Sequence, residues 1–161
     1  MDKKDILDKK IIGKEQLKRL LAYWNFKDQK VSLAYGTFDV LKPGTIDMII
    51  QASSKGDVLL VAVKTDELVG KHKGAGNPTN HHCNRALAVA SLQLVSAVHV
   101  VNTEDPSEFI DMVKPTAVVC CKHAADVETR AFDKVHEWGG EVIRLDTDRP
   151  IKYHKEDSCC D

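Results

Sequence analysis

The 161-residue chain, 43% hydrophobic, is long enough for one globular domain with a real core and too short for two. Its 23 basic and 24 acidic residues leave a net charge of −1, so no net field gathers a polyanion; nucleic acid is not an expected partner, although a local basic loop can still hold a small phosphate. The start MDKKDILDKK has no apolar stretch of secretory length, and no window approaches the roughly 20 apolar residues that span a bilayer. The expectation is therefore a cytoplasmic protein without membrane contact.

Residues 1–30 read as a helical extension. A lysine-rich, frayed start leads into an amphipathic helix over 15–24, with Leu17, Leu20, Leu21 and Trp24 as its apolar stripe. Short β-branched runs at 31–35, 58–63 (VLLVAV), 97–101 (AVHVV), 117–121 (AVVCC) and 141–145, bounded by Gly, Pro, Asp or Asn, read as buried strands. Helical patterns lie between and around them at 45–55, 82–95, 106–113 and 125–138. Such alternation builds parallel βαβ units with right-handed crossovers: a doubly wound, five-stranded α/β sheet of Rossmann-like type. The strand ending at Tyr35 is expected in the middle, beside those ending at Val63 and Cys121. Residues 31–146 form this domain and 147–161 a tail, with no internal repeat or low-complexity tract.

Ligands of such sheets bind beyond the carboxyl ends of the strands, where two loops converge. The first is GTFDVLKPG. There Gly36 lets a ligand approach the backbone, and the helix start at Pro43 and Gly44 offers unpaired N–H groups and a positive dipole end to an anion. The same residues equally suit an ordinary turn and first helical turn. The second is KTDELVGKHKGAGNPTNHHCNR, a flexible basic segment whose Lys64, Lys71 and Lys73 either fold over a polyphosphate or are simply solvated. Arg85 follows it, as a phosphate contact or as a surface helix residue.

Other constellations read as structural. Cys83, the pair Cys120–Cys121 and the pair Cys159–Cys160 are neither an even secreted framework nor a CxxC zinc pattern, so reduced thiols are expected. His81, His82 and Cys83 adjoin at a helix start and are expected to point apart, so no metal site is assigned. Asp47 is expected in the first helical turn, complementing the dipole.

The pieces Gly36, Phe38 and Asp39, GDVLLVAVKTDE, KHKGAGNPTN, Arg85, FIDMVKPTAVV and WGGEV together resemble the HxGH nucleotidyltransferases, a cytidylyltransferase-like superfamily. The similarity is greatest to the adenylyltransferase domain of bacterial ADP-heptose synthase, with glycerol-3-phosphate cytidylyltransferase more distant, and runs from about Lys10 to Asp146. It implies attack of a sugar-phosphate or polyol-phosphate oxygen on the α-phosphorus of a nucleoside triphosphate, ATP foremost, with pyrophosphate leaving. It also implies Mg²⁺ if the chain is active, and a homodimer. Nucleotide and phosphate contacts would then fall on Gly36, Phe38, Asp39, Gly44, Lys71, Lys73 and Arg85.

Where that family has its two histidines, this chain has Lys42, Pro43, Gly44 and Thr45; only the glycine remains. Lys42 and Thr45 are thus the candidates for the catalytic positions, as an ammonium and a hydroxyl standing where imidazoles stood. Loss of one preorganised donor costs about 10²–10³-fold in rate, so severe impairment is expected. Two further segments depart from the family: CCKHAAD replaces a glycine-rich turn, and DTDRPIKYHKEDSCCD, with Arg149, Lys152 and His154, lacks an STT-like phosphate segment. An impaired nucleotidyltransferase and a non-catalytic nucleotide- or phosphate-binding module or partner subunit are the two readings.

Overall fold

The chain's apolar runs form a parallel sheet wrapped by helices in a computed structural model that describes residues 2–151. Lys152, His154, Cys159 and Cys160 lie outside the described residues. The strands β1 (Val31–Gly36), β2 (Val58–Lys64), β3 (Ala97–Val101), β4 (Ala117–Cys121) and β5 (Glu141–Leu145) stand in the order β3-β2-β1-β4-β5. All four pairings are parallel, with Tyr35 opposite Ala62 on one side and Cys120 on the other. Central β1 is paired on both edges and has five buried residues in a row.

Helices cover both faces. On one, α2 (Lys14–Phe26), α6 (Ser107–Val113) and α7 (Asp126–Asp133) bury Leu17, Trp24, Ile110 and Phe132 against Leu33, Tyr35 and Leu60. On the other, α3 (Pro43–Ser53) and α5 (His82–Ala90) bury Met48, Ile49, Ala86 and Val89 against Ala34, Val61 and Val63. Alternate residues of each strand feed the two clusters, as the period of the pleat requires. The amino-terminal segment is fastened into this core: Ile12 donates its N–H to Val98 O at 2.9 Å, Ile11 bridges Val98 in parallel, and His99 Nδ1 lies 2.8 Å from Ile12 O.

Several element boundaries differ from the sequence expectation. The lysine-rich start forms a helix, α1 (Lys3–Lys10), capped by Asp2, whose carboxylate accepts the Lys4 N–H. The basic segment after β2 is not a loop throughout. It opens with α4 (Asp66–Lys73), in which the Thr65 hydroxyl accepts the Leu68 N–H, acids fill the first turn, bases fill the last, and Gly74 ends it at φ +82°. Helix α5 stops at Ala90 because residues 91–95 tighten into turns, Leu92 donating to Val89 O and Val95 to Leu92 O. Residues 125–138 divide into α7 and a 3₁₀ turn, Lys134–Trp138. Because α3 begins two residues earlier than expected, with Pro43 in its first turn, Asp47 falls beyond that turn and accepts a hydrogen bond from Gln51 Nε2 at 2.7 Å. Among the described residues no helix is long and apolar enough to cross a membrane.

Candidate functional site

The strand order reverses between β1 and β4, and at their carboxyl ends lies a cavity of about 430 Å³. Gly36, Phe38, Asp39, Lys42, Thr45 and Lys73 line it, so the two loops do converge. Phe38 holds φ +53°, an uncommon backbone for a bulky residue that costs about 1–3 kcal/mol, and is 5% exposed with its ring beneath Gly36. The Asp39 carboxylate accepts the backbone N–H groups of Thr79 and Asn80 at 2.9 and 2.8 Å, fastening the first loop to the second. Burial would raise its pKa, but these bonds outweigh burial and hold it below the ordinary carboxylate value.

At the start of α3, Lys42 occupies the N-cap with an extended backbone and makes no side-chain cap. Among the described residues nothing accepts from the N–H groups of Gly44 and Thr45, and the Thr45 hydroxyl has no partner. Residues 146–148 cross this helix end. A Cβ on Gly44 would lie 2.1 Å from Thr147 O, so the packing of the chain itself requires a glycine here. Asp148 Oδ1 sits 2.5 Å from Lys42 Nζ; this contact raises the lysine pKa and lowers that of the aspartate. Beside it Lys122 pairs with Asp146 at 2.6 Å, tying the altered turn after β4 to the same segment.

Three expected contacts, Gly44, Lys71 and Arg85, are not among the residues that line the cavity. Lys71 is on the last turn of α4, 2.8 Å from Glu104 and 3.7 Å from Glu67, and does not line the cavity. Arg85 is 1% exposed behind the cavity wall, where it donates to Asn80 O at 2.9 Å, to Thr37 O, to Lys64 O at 2.7 Å and to Asp66 Oδ1 at 2.7 Å. Its donors bind three loop segments to one another. Lys64 does line the cavity but belongs to no flexible loop: it ends β2, buried, with Nζ 2.8 Å from Glu128 Oε1 of α7.

The sequence reading also missed Tyr35, Glu128 and Asp148, all of which line the cavity. Tyr35 reads as the apolar end of a strand, Glu128 as an ordinary third helical residue, and Asp148 as tail; none carries a local signal of where it meets its neighbours. The histidines do not point apart as expected. His81, His82 and Cys83 offer ligand atoms within 4.8 Å of one another because the His81 ring folds back to accept the Cys83 N–H and lies 4.1 Å from the His82 ring. Cys83, Cys120 and Cys121 are free thiols, and burial pushes that of Cys120 up to about 12.

A model of the cytidylyltransferase-like proteins matches residues 33–158, which takes in all of the sheet but the first two residues of β1, and both loops. The chain belongs to the cytidylyltransferase-like family. Among similar members of this family, bifunctional protein HldE of Caulobacter vibrioides is 35% identical over 137 residues, 83% of this chain and 28% of HldE. Bifunctional protein HldE of Koribacter versatilis is 31% identical over 133 residues, 83% of this chain and 27% of that protein. The chain thus spans about a quarter of the length of the curated relatives it matches. Its fold is shared by a lipopolysaccharide core biosynthesis protein from Thermoplasma volcanium, with a TM-score of 0.60 and 21% identity across 73% of this chain and 96% of the other. That cytidylyltransferase-like fold carries its cavity where the Lys42–Thr45 segment, Lys73 of α4 and the turn after β4 meet.

Proposed function

We propose that this chain binds a nucleoside triphosphate, ATP foremost, together with a sugar or polyol phosphate at the carboxyl edge of its sheet, and that adenylyl transfer between them is slow. The observation that carries the reading is the start of α3. Lys42 and Thr45, whose N–H has no partner among the described residues, line the cavity together with Lys73, and among the described residues no acid pairs with Lys73. Helix N–H groups and ammoniums are the donors that phosphates take. Transfer requires donors fixed where charge builds as pyrophosphate leaves, and here a flexible ammonium and a short hydroxyl stand at the two motif positions.

Mg²⁺ commonly attends such a transfer. The carboxylates lining the cavity do not form a resident site for it. Asp39 is taken up by Thr79 and Asn80, Asp148 by Lys42, and Glu128 by Lys64. The ion would arrive on the triphosphate, held chiefly by phosphate oxygens.

The test has two arms. Calorimetry with ATP, CTP and GTP measures binding; pyrophosphate release with Mg²⁺ and heptose 1-phosphate or glycerol 3-phosphate measures chemistry. Binding with little release is expected. Replacing Lys42 and Thr45 together by histidine should raise release only slightly, since the Cys121 turn and the strap at Thr147 remain. A gain of about a hundredfold, the scale of one restored donor, would show that the site is one motif away from the reaction. Absence of triphosphate binding would defeat the reading.

A further inference from the structure

The cavity has a second end, on the opposite face of the sheet from α3. Tyr35, Lys64 and Glu128 line it, all three on the side covered by α6 and α7. Tyr35 is 2% exposed, and its hydroxyl is the one buried side-chain N or O atom among the described residues that has no hydrogen-bond partner. The ring is fixed edge-on by Phe132 and Phe109, at centroid distances of 5.0 and 6.4 Å, so the hydroxyl has little freedom to seek a partner. Burial, and secondarily the charge on Glu128, push the phenol far above its ordinary value, which leaves it a neutral donor.

Beside it the Lys64–Glu128 pair cancels its own charge at 2.8 Å, with the two side chains 9% and 1% exposed. Glu128 Oε2 is further committed to the Ala125 N–H at 3.1 Å, whereas Lys64 Nζ spends one of its three N–H groups on Glu128. The end therefore carries spare donors, and its carboxylate is matched by Lys64, with His72 Nδ1 3.8 Å from Glu128 Oε1 as a further neighbour. A phosphate there would meet the Glu128 carboxylate and an ammonium already neutralised; an apolar group would leave buried donors unpaired. Neutral oxygens satisfy both conditions.

We infer that the α7 end of the cavity is a subsite for the uncharged hydroxyls of a phosphate ester, with Tyr35 as its specificity-determining residue, while the ester's phosphate lies at the start of α3. This rests on the reading of the cavity as a phosphate site. The hydroxyls belong either to the ribose of the triphosphate or to the polyol of the acceptor. A site that donates to a hydroxyl discriminates against the analogue lacking it, because the donor is then stranded.

The experiment is calorimetry on the wild type and Tyr35→Phe with two ligand pairs, ATP against 2′,3′-dideoxy-ATP and glycerol 3-phosphate against n-propyl phosphate, with inorganic triphosphate as control. In the wild type one pair should favour the hydroxylated member about tenfold, the scale of one hydrogen bond, and Tyr35→Phe should bring that ratio near unity while inorganic triphosphate binds unchanged. The pair that responds names the source. Ratios that stay the same in Tyr35→Phe, with inorganic triphosphate bound, overturn the subsite and leave the phosphate reading intact; loss of inorganic triphosphate binding in the wild type overturns both. Thermal melting of the unliganded proteins gives an independent readout. Tyr35→Phe should melt no lower than the wild type, and a lower midpoint would mean that the hydroxyl is bonded within the fold, which also overturns the subsite.

Discussion

Lys42 and Asp148 form an ion pair on the cavity wall, and on the proposed reading the carboxylate holds the place that a phosphate oxygen would take on the ammonium. Both side chains are more than half exposed, so the pair adds little to stability, yet it competes directly with ligand. The two partners should then act in opposite directions. Asp148→Asn strengthens triphosphate binding and Lys42→Ala weakens it, each by a few-fold and less so at high salt, in titrations at two ionic strengths. Equal signs would mean that the pair serves the fold instead. Asp39 supplies a pH dependence. Its folded pKa lies below the ordinary 3.8, so its contribution is fully present above that value and is lost as pH falls through the folded value. In urea unfolding, the deficit of Asp39→Asn relative to the wild type should be constant near neutrality and shrink below pH 4.

At the scale of elements, the loops after β1 and β2 owe their shape to one buried side chain. Arg85, on α5, bonds Thr37, Asn80, Lys64 and Asp66 together, and its Nη2 pairs with an Asp66 carboxylate whose pKa burial would raise but which the guanidinium holds low. Arg85→Ala should destabilise the protein by about 3 kcal/mol or more in chemical denaturation, since four acceptors lose their donor at once. Arg85→Lys should recover only part, because one ammonium cannot span the fork. A mere loss of ligand affinity without loss of stability would return Arg85 to the role of phosphate contact. The elements also show what the sequence made legible. Strands and most helices were readable because apolar periodicity records burial locally. Helix α4 has its own signals in Thr65, the acids after it, the bases at its end and Gly74, which the density of lysines and glycines in the same stretch masks as a basic loop. Lys64 and Glu128 could not have been paired from sequence, since 64 positions separate them and each looks like a surface charge.

For the whole molecule, the sheet order and the central β1 follow from the alternation of strands and helices, whereas the closure of the cavity by residues 146–148 has no signal before folding brings them across α3. The amino-terminal segment is another long-range feature. Ile12, Leu17 and Trp24 join the same cluster as Leu33 and Val118, so deletion of residues 1–13 should lower the melting midpoint and increase association in light scattering by baring β3. A truncated protein as stable and as dispersed as the intact one would show that this segment is dispensable.

Ile11 and Ile12 lie along the outer side of β3, while β5 has no strand beyond it among the described residues. Among the described residues, the sheet thus has one margin partly covered, at Val98, and one with no strand beside it. If two copies join through their open margins about a twofold axis, each consumes the other's and none is left. Such association stops at a pair. A fibre needs a second adhesive margin on every subunit, and residues 11–12 partly cover it at Val98.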